Sequence, residues 1–346
     1  MNIGLILSIL ILLYLITFFC EIFTNAVEHL GKYFKIQDGA LGSIFAAVGT
    51  ALPETILPLI AVFGAYVSGT GMDLGKDIGK GAVLGSPFML SSLAFFMIAL
   101  MIVFLSWKGK RNSDVQLDVA FFRRDLNFFT VAYTVGILTA LVDVRFIQIA
   151  VGIFLLIYYV VYATRTIKKH CCEGEYCEGE CEELKFLTFF KADESKRLFL
   201  IFLQFFIAIA GLVISSHYFV ENIKTLSTNL GFSAMLISLF LAPVATELPE
   251  TINGLVWSSH NKDTLAVSNV SGAMVFQSCI PMAIGIFFTD WKFSIEAAAN
   301  VAAVYLAVII LYFVIAGKKD KFSAKPLLLS ILPYILYVAF SVIYTN

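Results

Sequence analysis

Two short stretches of this sequence place a carboxylate, a hydroxyl and a proline in the same order. Residues 49–56 read Gly-Thr-Ala-Leu-Pro-Glu-Thr-Ile, and residues 245–252 read Ala-Thr-Glu-Leu-Pro-Glu-Thr-Ile. Proline has no backbone N–H to give to the carbonyl four residues earlier. Pro53 therefore frees the carbonyl of Gly49, and Pro249 frees that of Ala245. Pro58 and Pro281 do the same for the carbonyls of Glu54 and Gln277. Thr50 precedes Glu54 by four residues, and Thr246 precedes Glu250 by four, a spacing that puts each hydroxyl on the face of its carboxylate. Brought together, the two stretches offer two carboxylates, two hydroxyls and freed carbonyls. All are hard oxygen donors, of which Ca²⁺ takes about six to eight, and two glutamates neutralise a divalent charge. The plainer reading of either stretch is a structural kink whose glutamate is paired within the protein. Its duplication favours a ligand role.

The elements that hold these stretches follow from composition. The chain has 346 residues, 59% of them hydrophobic and 14% charged, with a mean hydropathy of +0.87. Too little polar surface exists to cover a water-soluble core, which excludes a soluble enzyme, a disordered chain and a nucleic-acid binder. A bilayer-spanning helix needs roughly 20 apolar residues. Ten apolar runs qualify, near residues 3–24, 38–65, 78–106, 126–143, 146–165, 197–219, 231–257, 264–290, 293–316 and 325–344. They are continuous rather than alternating, so an all-α membrane protein of about ten transmembrane helices is expected, not a β-barrel. Met1-Asn2 carries no basic residue, and the first run ends Phe-Phe-Cys-Glu, so it reads as a retained span and not a signal peptide.

The basic residues set the orientation. Of 24 Lys and Arg, only Lys76, Lys80, Arg145, Lys224 and Lys292 fall on one side, leaving 19 on the other. The positive-inside rule then puts both termini outside the cytoplasm of a multi-pass cell-membrane protein. The Pro-Glu stretches lie in the second and seventh runs. Each is followed by a run with a small-residue segment, Gly81–Ser86 and Asn269–Ala273. Five spans plus five make the second unit enter the membrane from the opposite side. The expected organisation is two inverted five-helix repeats, residues 1–166 and 197–346, around a Cys/Glu-rich cytoplasmic linker at 167–196. Such inverted repeats are characteristic of secondary transporters.

These paired Leu-Pro-Glu stretches, each followed by a small-residue helix, resemble the cation/Ca²⁺ antiporter superfamily, which includes the sodium/calcium exchangers. The resemblance covers roughly residues 21–95 and 218–285. It implies that Glu54 and Glu250 are the central cation ligands, supported by Thr50 and Thr246, with Ser86 in the third span and Asn269 in the eighth. It implies a secondary active antiporter moving Ca²⁺ or a related cation in exchange for Na⁺ or H⁺ by alternating access, with no catalytic residues and no cofactor.

The sequence also departs from that family. Ala51 and Glu247 stand where a small hydroxyl residue is usual, and Glu247 adds a carboxylate three residues before Glu250. Ala82 replaces an asparagine, Pro87 follows Ser86, and Ala273 replaces a serine. Leu90 and Gln277 stand at amide or carboxylate positions; Leu90 cannot coordinate, whereas Gln277 offers one neutral oxygen, with Ser91 and Ser92 nearby. A cation channel, or an exchanger fold with another specificity, is the competing class. The internal antiparallel duplication favours a single-chain carrier, for which a monomer suffices, with the bilayer and small cations as partners.

One further cluster stands apart. His170, Cys171, Cys172, Cys177 and Cys181 fall within twelve residues, interspersed with six glutamates. They read either as a soft-metal or redox regulatory site, zinc being one candidate, or as a solvated linker. No His-Glu-x-x-His and no phosphate-binding loop occurs.

Overall fold

The computed structural model describes residues 3–33, 52–68, 72–117, 119–173, 197–318 and 321–345. The helices, in order, are α1 (Ile3–Tyr33), α2 (Leu52–Ser68), α3 (Met72–Met89), α4 (Phe95–Trp107), α5 (Val119–Leu138), α6 (Arg145–Glu173), α7 (Arg197–Leu230), α8 (Ala234–Ser259), α9 (Asp263–Phe288), α10 (Ile295–Ile315) and α11 (Ile331–Thr345). A π-helical turn at Leu90–Ala94 joins α3 and α4 into one rod. Every one of the ten apolar runs carries a helix, and seven helical stretches among the described residues are long and apolar enough to cross a membrane. The two that carry the Pro-Glu stretches contribute only shorter apolar segments, 54–63 and 234–244, as expected where polar groups interrupt the run. Large side chains such as Phe146 (80% exposed) and Ile343 (77%) face outward, where acyl chains accept them.

Two features differ from the sequence reading. Helices α6 and α7 run past their apolar segments, to Glu173 and Leu230. Apolar length decides what spans a bilayer, but a helix continues until a breaker stops it, as Gly231 (φ +72°) does after α7. The first residues of the segment read as a linker are therefore helical. The second feature is a two-stranded ribbon in a chain read as all-α. Strand β1 (Asp114–Gln116) pairs antiparallel with β2 (Lys321–Ser323), Val115 opposite Phe322. Strands of three residues are too short to show a period.

Two apolar cores result. One joins α3, α4, α5, α8, α9 and α10 around side chains such as Phe95, Phe122, Phe129 and Trp291. The other joins α1, α2, α7 and α8 around Ile16, Leu57, Phe219 and Ile223. The helix contacts come in corresponding pairs: α2 meets α3 as α8 meets α9, α3 meets α8 as α9 meets α2, and α2 meets α7 as α8 meets α1.

Helices α1 and α7 are joined by two polar links. Gln204 Nε2 donates to Asn25 Oδ1 at 2.9 Å and also reaches the Ile22 carbonyl. Asn222 Nδ2 donates to Ser8 Oγ at 2.7 Å. Gln204 follows Ser8 by 196 positions, the separation of Glu54 and Glu250, and Asn222 follows Asn25 by 197.

Helices α3 and α8 approach closely within the small-residue segment. A Cβ on Gly85 would collide with the Leu239 carbonyl and lie 2.6 Å from Pro243 Cγ. Ser238 Oγ donates to the Ile78 carbonyl at 2.8 Å across the same interface. Overpacking of this kind costs about 1–3 kcal/mol. Gly85→Ala is expected to lower the unfolding temperature of the purified protein, and wild-type stability would mean that the backbones do not meet here.

Polar contacts fasten the ends of the bundle. Arg111 makes a two-pronged pair with Asp263, Nη1 to Oδ1 at 3.0 Å and Nη2 to Oδ2 at 2.7 Å, with side chains 4% and 1% exposed. Its Nη2 also donates to the Asp114 carbonyl, and the Gln116 N–H donates to Asp263 Oδ2. At the other end, in the loops, Lys292 lies 2.8 Å from Asp143, and this hydrogen-bonded ammonium holds the Asp143 carboxyl below its ordinary pKa.

Candidate cation site

Glu54 reaches the interior from the first turn of α2, while Thr246, Glu247 and Glu250 descend one stretch of α8. The two helices bring three carboxylates together: oxygens of Glu54, Glu247 and Glu250 all lie within 4.8 Å of one another. Their exposures of 4%, 0% and 1% place them fully inside the protein. Charges so close and so dry repel strongly. All three can be ionised together only with positive charge among them.

The surroundings treat the three differently. Glu247 is held on both oxygens: Gln277 Nε2 donates to Oε2 at 2.7 Å, and Thr246 Oγ1 lies 3.2 Å from Oε1, with the Ala242 carbonyl as its other acceptor. Ser86 is a further side-chain hydrogen-bond partner of Glu247 and lies 3.3 Å from the Ala82 carbonyl. Both carboxylate oxygens of Glu54, by contrast, are buried with no hydrogen-bond partner among the described residues, and so is Gln277 Oε1. Buried polar atoms ordinarily find partners. This carboxylate and this amide oxygen, on α2 and α9, are acceptors able to take a cation. The donor set consists of oxygens alone, which suits a hard cation.

Of the residues singled out from the sequence, Glu54, Glu247, Glu250, Thr246, Ser86 and Gln277 thus meet at one place. Asn269 approaches differently: its Nδ2 donates to the Glu250 backbone carbonyl at 3.2 Å, tying α9 to α8 beside the cluster. Ser91 and Ser92 turn away, both donating to the Phe88 carbonyl within the π-helical turn. The Ser92 carbonyl accepts from the Phe95 N–H and from Ser330 Oγ, the latter at 3.0 Å. Gly49 and Thr50 lie outside the described residues, as do Cys177 and Cys181. Ala245 lies in α8, and His170, Cys171 and Cys172 lie in the last turns of α6, where their backbone alone is described.

Thr251 escaped the sequence reading. It is buried beside Glu250, with its hydroxyl unpartnered among the described residues. The signal was present, since both copies of the pentapeptide read Glu-Thr.

Fold and site define a polytopic membrane protein with a buried, all-oxygen carboxylate cluster on two proline-containing helices. The profile of the family described as sodium/calcium exchanger protein matches residues 4–168 and 200–343. The chain belongs to that family. It is 23% identical, over 98% of its length and 97% of the relative's, to an uncharacterized membrane protein of Methanocaldococcus jannaschii. It is 23% identical to the inner membrane protein YrbG of Escherichia coli, over 89% of this chain and 87% of that protein. Its fold is that of the H⁺/Ca²⁺ exchanger CAX, with a TM-score of 0.72 at 15% identity over 99% of this chain and 85% of the other. It also matches the sodium-calcium exchanger NCX_Mj, with a TM-score of 0.59 at 20% identity over 98% and 99%.

Proposed function

We propose that this protein is a secondary active cation antiporter that moves Ca²⁺, or a related cation, in exchange for Na⁺ or H⁺ by alternating access. The observation that carries the reading is the buried triad Glu54, Glu247 and Glu250, in which Glu54 presents two oxygens with no hydrogen-bond partner among the described residues. Membership of the exchanger family and the folds of CAX and NCX_Mj support it. Glu54 and Glu250 are the central ligands. Thr246, Ser86, Gln277 and Glu247 line the cavity, and Thr50 with the carbonyls of Gly49 and Ala245 completes the oxygen set. Asn269 holds the carbonyl of Glu250.

The two halves, residues 1–166 and 197–346, form inverted repeats around the linker 167–196, with both termini outside the cytoplasm. The paired helix contacts and the matched links between α1 and α7 support this organisation. The site lies at the pseudo-two-fold axis, so each half closes one access route. One positive charge moved across 100 mV is worth about 2.3 kcal/mol, so membrane potential contributes to export.

Countertransport tests the reading. Proteoliposomes loaded with unlabelled Ca²⁺ are expected to take up ⁴⁵Ca²⁺ faster than empty ones, and an outward Na⁺ or H⁺ gradient is expected to drive uptake. Flux indifferent to the ions on the far side would identify a channel instead.

A further inference from the structure

Behind the site, on the opposite side of α9, lies an ion pair with a buried carboxylate and a half-buried guanidinium, used by neither the carboxylate triad nor the proposed transport cycle. Asp125, on α5, is 0% exposed. Its Oδ2 accepts a hydrogen bond from Ser271 Oγ on α9 at 2.8 Å. Its Oδ1 accepts from Arg124 Nη2 at 3.1 Å, and the Tyr162 hydroxyl is a further partner. Arg124 in turn reaches Thr166 Oγ1 on α6 at 3.1 Å. A carboxylate is costly to bury even when paired, and apolar packing in its place is often as stable. Its presence here calls for a use other than stability.

Helix geometry supplies one. Asn269 and Ser271 are two residues apart, so they point roughly 200° apart around α9. Asn269 faces α8, on the Glu250 carbonyl, and Ser271 faces α5, on Asp125. Gln277, which grips Glu247, lies eight residues on from Asn269, roughly 80° around from it and on the site side. Helix α9 is therefore pinned from front and back. A small rotation about its axis would carry Asn269 and Gln277 off their partners together.

We propose that Asp125 is a positioning residue for the cation site: through Ser271 it fixes the rotation of α9, and so the placement of Gln277 and Asn269 against Glu247 and Glu250. The proposal rests on the antiporter reading, in that it takes the triad to be where the cation binds. Ser271→Ala tests it with little disturbance, because the Asp125–Arg124 pair stays intact. The measurement is Ca²⁺ binding to the purified full chain by titration calorimetry, with the unfolding temperature recorded alongside.

The expected result is a dissociation constant raised about tenfold, the worth of a hydrogen bond to a charged acceptor, with Ser271→Thr restoring wild-type binding. Asp125→Asn keeps the shape and one acceptor oxygen, and is expected to weaken binding about threefold. Unchanged affinity in both Ser271→Ala and Asp125→Asn would overturn the proposal and leave the antiporter reading standing. So would a loss in Ser271→Ala that Ser271→Thr does not restore, since that would be a packing effect. Wild-type protein that binds no Ca²⁺, but still exchanges another cation, would overturn the choice of probe ion and this proposal with it. Wild-type protein that neither binds nor exchanges any cation would remove the antiporter reading itself.

Discussion

Glu54→Gln and Glu250→Gln are each expected to abolish cation exchange in proteoliposomes, lowering flux at limiting Ca²⁺ by at least about 100-fold. Losing an outer-shell partner of a metal ligand already costs 10–100-fold in affinity, and here a charged ligand itself is lost. Glutamine keeps the size and one oxygen, so the change removes charge and little else. The effect differs between the two positions in one respect. Among the described residues Glu54 has no hydrogen-bond partner on either oxygen, so its amide replacement breaks no hydrogen bond there, and Glu54→Gln protein should fold as the wild type does. Its flux then reports the ion site alone. Wild-type flux in both variants would show that the cation binds elsewhere.

Arg111→Ala is expected to produce the largest loss of stability. Removing one partner of a buried pair leaves the other charge uncompensated, at a cost of about 3–5 kcal/mol. Asp263 is 1% exposed at its side chain and would keep only the Gln116 N–H of its present donors. Arg111 also donates to the carbonyls of Ser258 and Asp114. Its removal therefore unfastens the turn between α8 and α9 from β1 as well. A lowered unfolding temperature in detergent, together with faster proteolysis between α8 and α9, is the expected outcome. An Arg111→Ala protein as stable as wild type would mean that this pair contributes nothing.

The helices were legible because bilayer-spanning segments are long and apolar whatever their neighbours do. Their ends were not, because the bilayer sets the apolar length and local breakers set the helix length; α6 and α7 differ from the apolar reading for that reason. The site was legible in its charges. A mid-membrane glutamate is costly, so Glu54, Glu247 and Glu250 stood out, and they are the three that meet. Their division of labour was not legible. Nothing in the spacing of Glu247 and Gln277, thirty residues apart, says that the amide would grip the carboxylate and leave Glu54 bare. Hydrogen bonds between helices depend on how each rod is rotated, and a single sequence does not encode that in any local pattern. Ser91 and Ser92 illustrate the same limit. Their proximity to the site in sequence suggested coordination, and the π-helical turn directs both to the Phe88 carbonyl. Asp125 was unremarkable beside Arg124 in a charged stretch, and it shows itself only once α5 is laid against α9.

The two links between α1 and α7 have a mechanical consequence. Ser8 and Asn25 are separated by about 26 Å along α1 at 1.5 Å per residue, and each is tied to the opposite rod. Two rods joined at a single point can open like scissors. Joined at two points that far apart, they cannot pivot against each other without breaking one tie, or slide lengthwise without breaking both. The pair therefore behaves as a plank: it can tilt or translate over the rest of the bundle, but it does so as one piece.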